Sequence, residues 1–135
     1  MVEVLILKKR KDFVRVASQG FKMVSSGLIL QAAQSLSAPE NSCQLGYTAT
    51  KKIGKAHVRN RTKRRLRAAA RELFPKYGRP DTDYVLIGRF NTASCDFGEL
   101  RQNMAVALKR VNKMFSAPGE KTDDKDIPAS VDSRG

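Results

Sequence analysis

Between Lys51 and Arg71 the chain reads KKIGKAHVRNRTKRRLRAAAR, a run with ten Lys or Arg and no Asp or Glu. Few folds accommodate such a run. From Val58 to Phe74 the residues Thr62, Leu66, Ala69 or Ala70, and Leu73 form a narrow apolar stripe at helical spacing. The segment therefore reads as a helix that lays one thin face on a core and leaves cations over the rest. Arg59 with Lys63, Lys63 with Arg67, and Arg67 with Arg71 are like-charged pairs four residues apart. Each costs on the order of 0.2–0.5 kcal/mol in an isolated helix. A merely solvated face usually mixes signs; an anionic partner removes the cost.

The surrounding chain gives that helix a core to lie on. Lys8 to Gln19 reads as a short helix with Phe13, Val16 and Ala17 at helical spacing and Gly20 as its stop. Phe21 to Ser37 is strand-like, broken at Ser25-Ser26-Gly27, with 27–33 as the clearer strand. Leu36 to Ser42 is a turn, Cys43 to Thr50 a second strand, and Lys51 to Ala56 a loop containing Gly54. Pro75, Gly78 and Pro80 are placed to end the basic helix. Asp83 to Phe90 is apolar nearly throughout and reads as a central strand, Asn91 to Asp96 as a turn, and Phe97 to Phe115 as a last helix. Asp96 is placed to cap that helix, with Glu99 three residues on. The order is an α+β one, α-β-β-β-α-β-α, a sheet packed against helices. One domain spans 1–115; the Pro, Gly, Ser, Asp and Lys of 116–135 predict a disordered tail.

Charge narrows the function. The chain of 135 residues carries 26 Lys or Arg against 13 Asp or Glu, net +13. With the tail set aside, the domain keeps 23 basic residues against 8 acidic. Such a balance speaks for an anionic partner. No apolar run approaches the roughly 20 residues that span a bilayer, and the opening MVEVLILKKRKDF has the reverse order of a secretory signal, which points to the cytoplasm. Cys43 and Cys95 read as free thiols. With His57 the only histidine, no metal site is expected in the protein. Within the basic helix Arg outnumbers Lys, and its planar fork suits phosphate and stacks on bases. Asn60 either reaches a base edge or phosphate or bonds nearby backbone. Lys51 and Lys52 add charge beside the positive helix N-terminus.

From Thr50 to Arg64 the run TKKIGKAHVRNRTKR resembles the signature of the bacterial ribonuclease P protein subunit, RNR motif included. KDFVRVASQG resembles that family's first helix and YVLIGR the strand after the signature. The resemblance covers roughly Lys8 to Lys113. It implies a fold like ribosomal protein S5 domain 2, with a left-handed βαβ crossover through the basic helix. It also implies two RNA surfaces. Lys51, Lys52, Lys55, Arg59, Asn60, Arg61, Lys63, Arg64 and Arg67 would face the catalytic RNA. A cleft between the first helix and the sheet, with Arg10, Lys11, Phe13, Arg15 and Gln31, would take the single-stranded 5′ leader of precursor tRNA. Phe13 is open to a second reading, as ordinary core. Ala17 and Gln31 stand where some members carry aromatics; Thr50, His57 and Ala68 depart from the commoner Ser, Val and Glu without removing a positive charge.

The resemblance makes the chain the protein subunit of an endoribonuclease whose chemistry belongs to the RNA and its Mg2+. No catalytic side chain, no cofactor bound by the protein alone and no protein partner is expected. The sparse carboxylates fit: Asp81 with Asp83, and Asp96 with Glu99, sit at element boundaries and read as turn and cap residues. Two rivals stand beside this reading, a free-standing or ribosome-associated nucleic-acid-binding protein and a protein-only nuclease.

Overall fold

The structure, a computed structural model, describes residues 1–116. The tail anticipated over 116–135 thus lies, past Ser116, outside the described residues. In chain order the elements are β1 (Glu3–Ile6), α1 (Arg10–Gln19), β2 (Phe21–Val24), β3 (Leu28–Gln34), β4 (Ser42–Thr48), α2 (Ala56–Tyr77), β5 (Thr82–Gly88) and α3 (Phe97–Ser116). The five strands form one sheet in the order β1-β4-β5-β3-β2. β5 is central, as its unbroken apolar character implies: it runs antiparallel to β3 and parallel to β4. The β4–α2–β5 segment is thus a parallel crossover unit carried by the basic helix.

Strand alternation divides the core between the two sheet faces. Leu28, Leu30, Cys43, Leu45, Tyr84 and Leu86 meet Leu66, Ala69, Ala70 and Phe74 of α2 and Leu100, Met104, Ala107, Leu108 and Val111 of α3. On the opposite face the smaller helix α1 seats Val16 against Leu7, Ala33 and Val85. The buried Tyr84 phenol is fully used: its hydroxyl donates to Asn112 Oδ1 at 2.6 Å and accepts from the Arg79 N–H at 2.8 Å. Burial pushes its pKa up. The Cys43 thiol, free and buried, is likewise pushed up to about 12 by burial and then by Asp83. Cys95 is also free.

Three features depart from the sequence reading. A strand, β1, precedes α1 and pairs in parallel with β4, Val4 opposite Cys43; four residues are too few for alternation to announce it. α2 begins two residues earlier than Val58 and runs through Pro75 to Tyr77. A proline costs a helix one N–H and crowds the preceding turn, and α2 ends two residues after it. The Pro75 carbonyl accepts the Val2 N–H at 3.1 Å, which ties β1 to the helix end, and Gly78 N–H closes on Phe74 O at 2.8 Å. Third, Asp83 is not a turn residue. It lies inside β5, wholly buried on the α1 face, while Asp81 does occupy a turn with φ 64°.

Asp83 is neutralised by Arg15, whose guanidinium also reaches Asp12 at 3.4 Å and donates to Gln34 O at 2.8 Å. Gln44 Nε2 donates to the same carboxylate at 2.9 Å. This pair fixes α1 to the sheet. Removing one partner of a buried ion pair strands the other charge, at about 3–5 kcal/mol. Arg15→Met should therefore lower the urea unfolding free energy by about that much, and Arg15→Met with Asp83→Asn should recover most of it.

Candidate nucleic-acid interface

The KKIGKA loop folds as a 3-10 turn over Lys51–Ile53 followed by Gly54 at φ 147°, a region that glycine occupies without strain. A Cβ there would press on Val58 at 3.0 Å. The turn sets Lys51, Lys52 and Lys55 exposed around the first turn of α2. Thr62 packs tightly over Gly88, where a Cβ would collide with its methyl group, so α2 rides close to the centre of the sheet.

The cations of α2 then separate into three sets. Arg59, Lys63, Arg67 and Arg71 recur every four residues along one flank. Arg67 lies over the Tyr47 ring at 5.1 Å, which turns that flank toward β4 and β1. On the other flank Arg61 Nε donates to Ala93 O at 2.8 Å, and Arg65 donates to the carbonyls of Ala93 and Cys95 and lies 5.7 Å from the Phe97 ring. Arg65 thus holds the β5–α3 loop, and Arg61, although exposed, spends one donor there. Asn60 and Arg64 are exposed on the ridge between the flanks. The ion pairs among the described residues join Arg15 to Asp12 and Asp83, and Arg101 to Glu72. None of the ten cations from Lys51 to Arg71 has a carboxylate partner there.

The residues anticipated around a cleft are divided. Phe13 is half-buried beside Leu7, Val16, Ala33 and Val85, with its ring on Gly46 of β4. Gln31 projects from β3 on the same sheet face, partly exposed, with Ile29 and Ile87 beside it. Arg10 and Lys11 are exposed at the start of α1. Arg15 is different: its guanidinium is committed to Asp83, Asp12 and Gln34 rather than left free at a rim. Lys22 of β2, the cross-strand partner of Gln31, stands exposed on this face. Sequence reasoning missed it; its alternation with buried Met23 was the available signal.

No helix among the described residues is long and apolar enough to cross a membrane. Among those residues no group of three or more His, Cys, Asp or Glu is placed to hold a metal ion. Asp96 does cap α3, accepting the Glu99 N–H at 3.1 Å.

Comparison with known proteins decides the family. The family model described as Ribonuclease P matches residues 1–112. The chain belongs to the ribonuclease P protein family. Over 126 residues it is 40% identical to the ribonuclease P protein component of Paramagnetospirillum magneticum, covering 92% of this chain and 95% of that protein. The corresponding protein of Gluconacetobacter diazotrophicus is 45% identical over 104 residues, 77% of this chain and 88% of its own. Among solved structures, the ribonuclease P protein of Thermotoga maritima superposes with a TM-score of 0.66 at 24% identity, covering 78% of this chain and 96% of its own. The Staphylococcus aureus protein gives 0.64 at 20% identity, covering 81% and 94%. The fold is that of the ribonuclease P proteins, membership makes tRNA processing its field, and a ribonuclease P protein component implies an RNA partner.

Phe13 depends on the absence of a side chain at Gly46. Gly46→Ala should push the ring off the sheet and destabilise the fold by about 1–3 kcal/mol, the usual cost of overpacking. Phe13→Leu in that background should relieve most of the destabilisation, read by thermal unfolding.

Proposed function

We propose that this chain binds the catalytic RNA of ribonuclease P along α2 and the 5′ leader of precursor tRNA across the α1 face of the sheet, and so assists the endonucleolytic removal of the leader. The observation that carries the reading is the unneutralised stretch of α2 and the loop before it, ten cations from Lys51 to Arg71 without a carboxylate partner among the described residues, in a member of this family. Folding such a helix leaves like charges side by side, and an RNA backbone supplies the missing counter-charge. Lys51, Lys52, Lys55, Arg59, Asn60, Lys63, Arg64 and Arg67 make this contact, with Arg61 contributing its remaining donors.

The α1 face suits a different ligand. Phe13, Ile29 and Ile87 offer flat, partly exposed apolar surface, flanked by Gln31, Lys22, Arg10 and Lys11. Single strands bind where bases can stack and cations follow the backbone. Arg15 acts here by holding α1, and with it Phe13, at a fixed height over the sheet. Cleavage chemistry is assigned to the RNA and its Mg2+; the protein screens phosphate repulsion and orients substrate. The setting is cytoplasmic, where precursor tRNA is made.

Lys63→Glu with Arg64→Glu should weaken binding to ribonuclease P RNA and flatten the dependence of log K on log salt, by about 0.9 for each phosphate no longer neutralised. An unchanged slope would remove α2 from the interface. Phe13→Leu, which keeps apolar packing but not the ring, should weaken holoenzyme binding of precursor tRNA by about 1–3 kcal/mol per unstacked base and leave mature tRNA binding nearly unchanged. Equal weakening for both ligands would make Phe13 a core residue only.

A further inference from the structure

The basic flank of α2 ends beside a groove that shares Arg67 with the RNA-binding surface proposed above and is otherwise lined by residues of neither surface. It lies between β1 and α2, with a volume of about 420 Å³, within the roughly 300–1,000 Å³ typical of small-ligand sites. Val4, Ile6, Tyr47 and Ala70 give it an apolar lining, and Arg67 and Arg71 stand at its side. Ile6 is 67% exposed at the groove. Tyr47 is half-buried, and burial raises its pKa against the opposing effect of Arg67 and Arg71, so its hydroxyl stays protonated as a hydrogen-bond donor. No carboxylate lines the groove, and neither arginine has an acidic partner among the described residues.

We propose that this groove is a nucleotide site: it takes one unstacked base of the partner RNA against Ile6, Val4 and the Tyr47 edge, with the adjoining phosphate on Arg71 and Arg67. The chemistry selects that occupant. A guanidinium already stacked on a phenol ring presents a flat, cationic surface of the kind on which bases stack. The groove continues the line Arg59, Lys63, Arg67, Arg71, so a backbone followed along α2 arrives there. A second copy of this chain is disfavoured by a net charge of +13 on each. The open edge of β1 makes an added peptide strand the alternative occupant.

The proposal rests on α2 being the RNA-binding helix, and the test separates the two. In the full chain, Ile6→p-benzoylphenylalanine is irradiated in complex with a bacterial ribonuclease P RNA, and the attachment site is mapped by primer extension. Attachment confined to one nucleotide or two neighbours is expected. Ile6→Ser, an uncharged change, should weaken RNA binding about tenfold, within the range for losing the burial of one isoleucine side chain. Its salt slope should stay unchanged, because every phosphate keeps its cation. An RNA made abasic at the mapped position should bind wild type about tenfold more weakly and show no further weakening with Ile6→Ser. Attachment scattered along the RNA, or effects that multiply, would overturn the site. Attachment to protein instead of RNA would overturn it in favour of a docked peptide strand. If Lys63→Glu with Arg64→Glu weakens binding while Ile6→Ser does not, the groove alone is refuted; if neither does, the reading of α2 fails with it.

Discussion

A helix and the loop before it that together carry ten cations from Lys51 to Arg71, with no carboxylate to meet them among the described residues, are the constraint around which this molecule is arranged. Its apolar stripe is only wide enough to reach the core through Thr62, Leu66, Ala69, Ala70 and Phe74. Repulsion along the helix is therefore opposed by packing on one side and by two fixed arginines on the other. Arg61 and Arg65 give donors to the β5–α3 loop, which removes them partly from solvent and locks the helix against that loop. What is left, the ridge and the flank facing β4, is cationic surface without a carboxylate partner among the described residues, and it is the surface proposed to take RNA phosphates.

The opposite face depends on a buried charge. Asp83 sits in the central strand without access to water, and its neutralisation by Arg15 sets where α1 lies. Buried ion pairs stabilise weakly in net terms but are costly to break, so they specify position more than they add stability. Here the position specified is that of Phe13 over Gly46. A positively charged residue beside the surface proposed for the leader thus serves geometry, while Lys22, Arg10 and Lys11 stand exposed.

Much of this was legible in the sequence, for identifiable reasons. α2 and α3 announced themselves through long apolar periodicity, and β5 through an unbroken apolar run that only a central strand tolerates. The cation run named the kind of partner before any geometry was known. Other parts were hidden. β1 is a four-residue edge strand, and without it the groove beside Tyr47 and Arg67 could not be foreseen. Pro75 suggested a helix end because its rule is local, whereas the bond from Val2 to its carbonyl is made across 73 positions of sequence. Arg15 and Asp83 are separated by 68 positions. Nothing local distinguishes a paired arginine from a free one on the same amphipathic helix.

The proposed function makes this protein an assistant to an RNA enzyme, with no cutting of its own. The most direct measurement follows 5′ leader release from a precursor tRNA at low magnesium, where a bacterial ribonuclease P RNA alone is slow, with and without this protein. The account predicts that the protein restores cleavage at the mature 5′ junction and is inert when the RNA is left out. Tight binding to the RNA without any rescue of cleavage, or leader release by the protein alone, would contradict it.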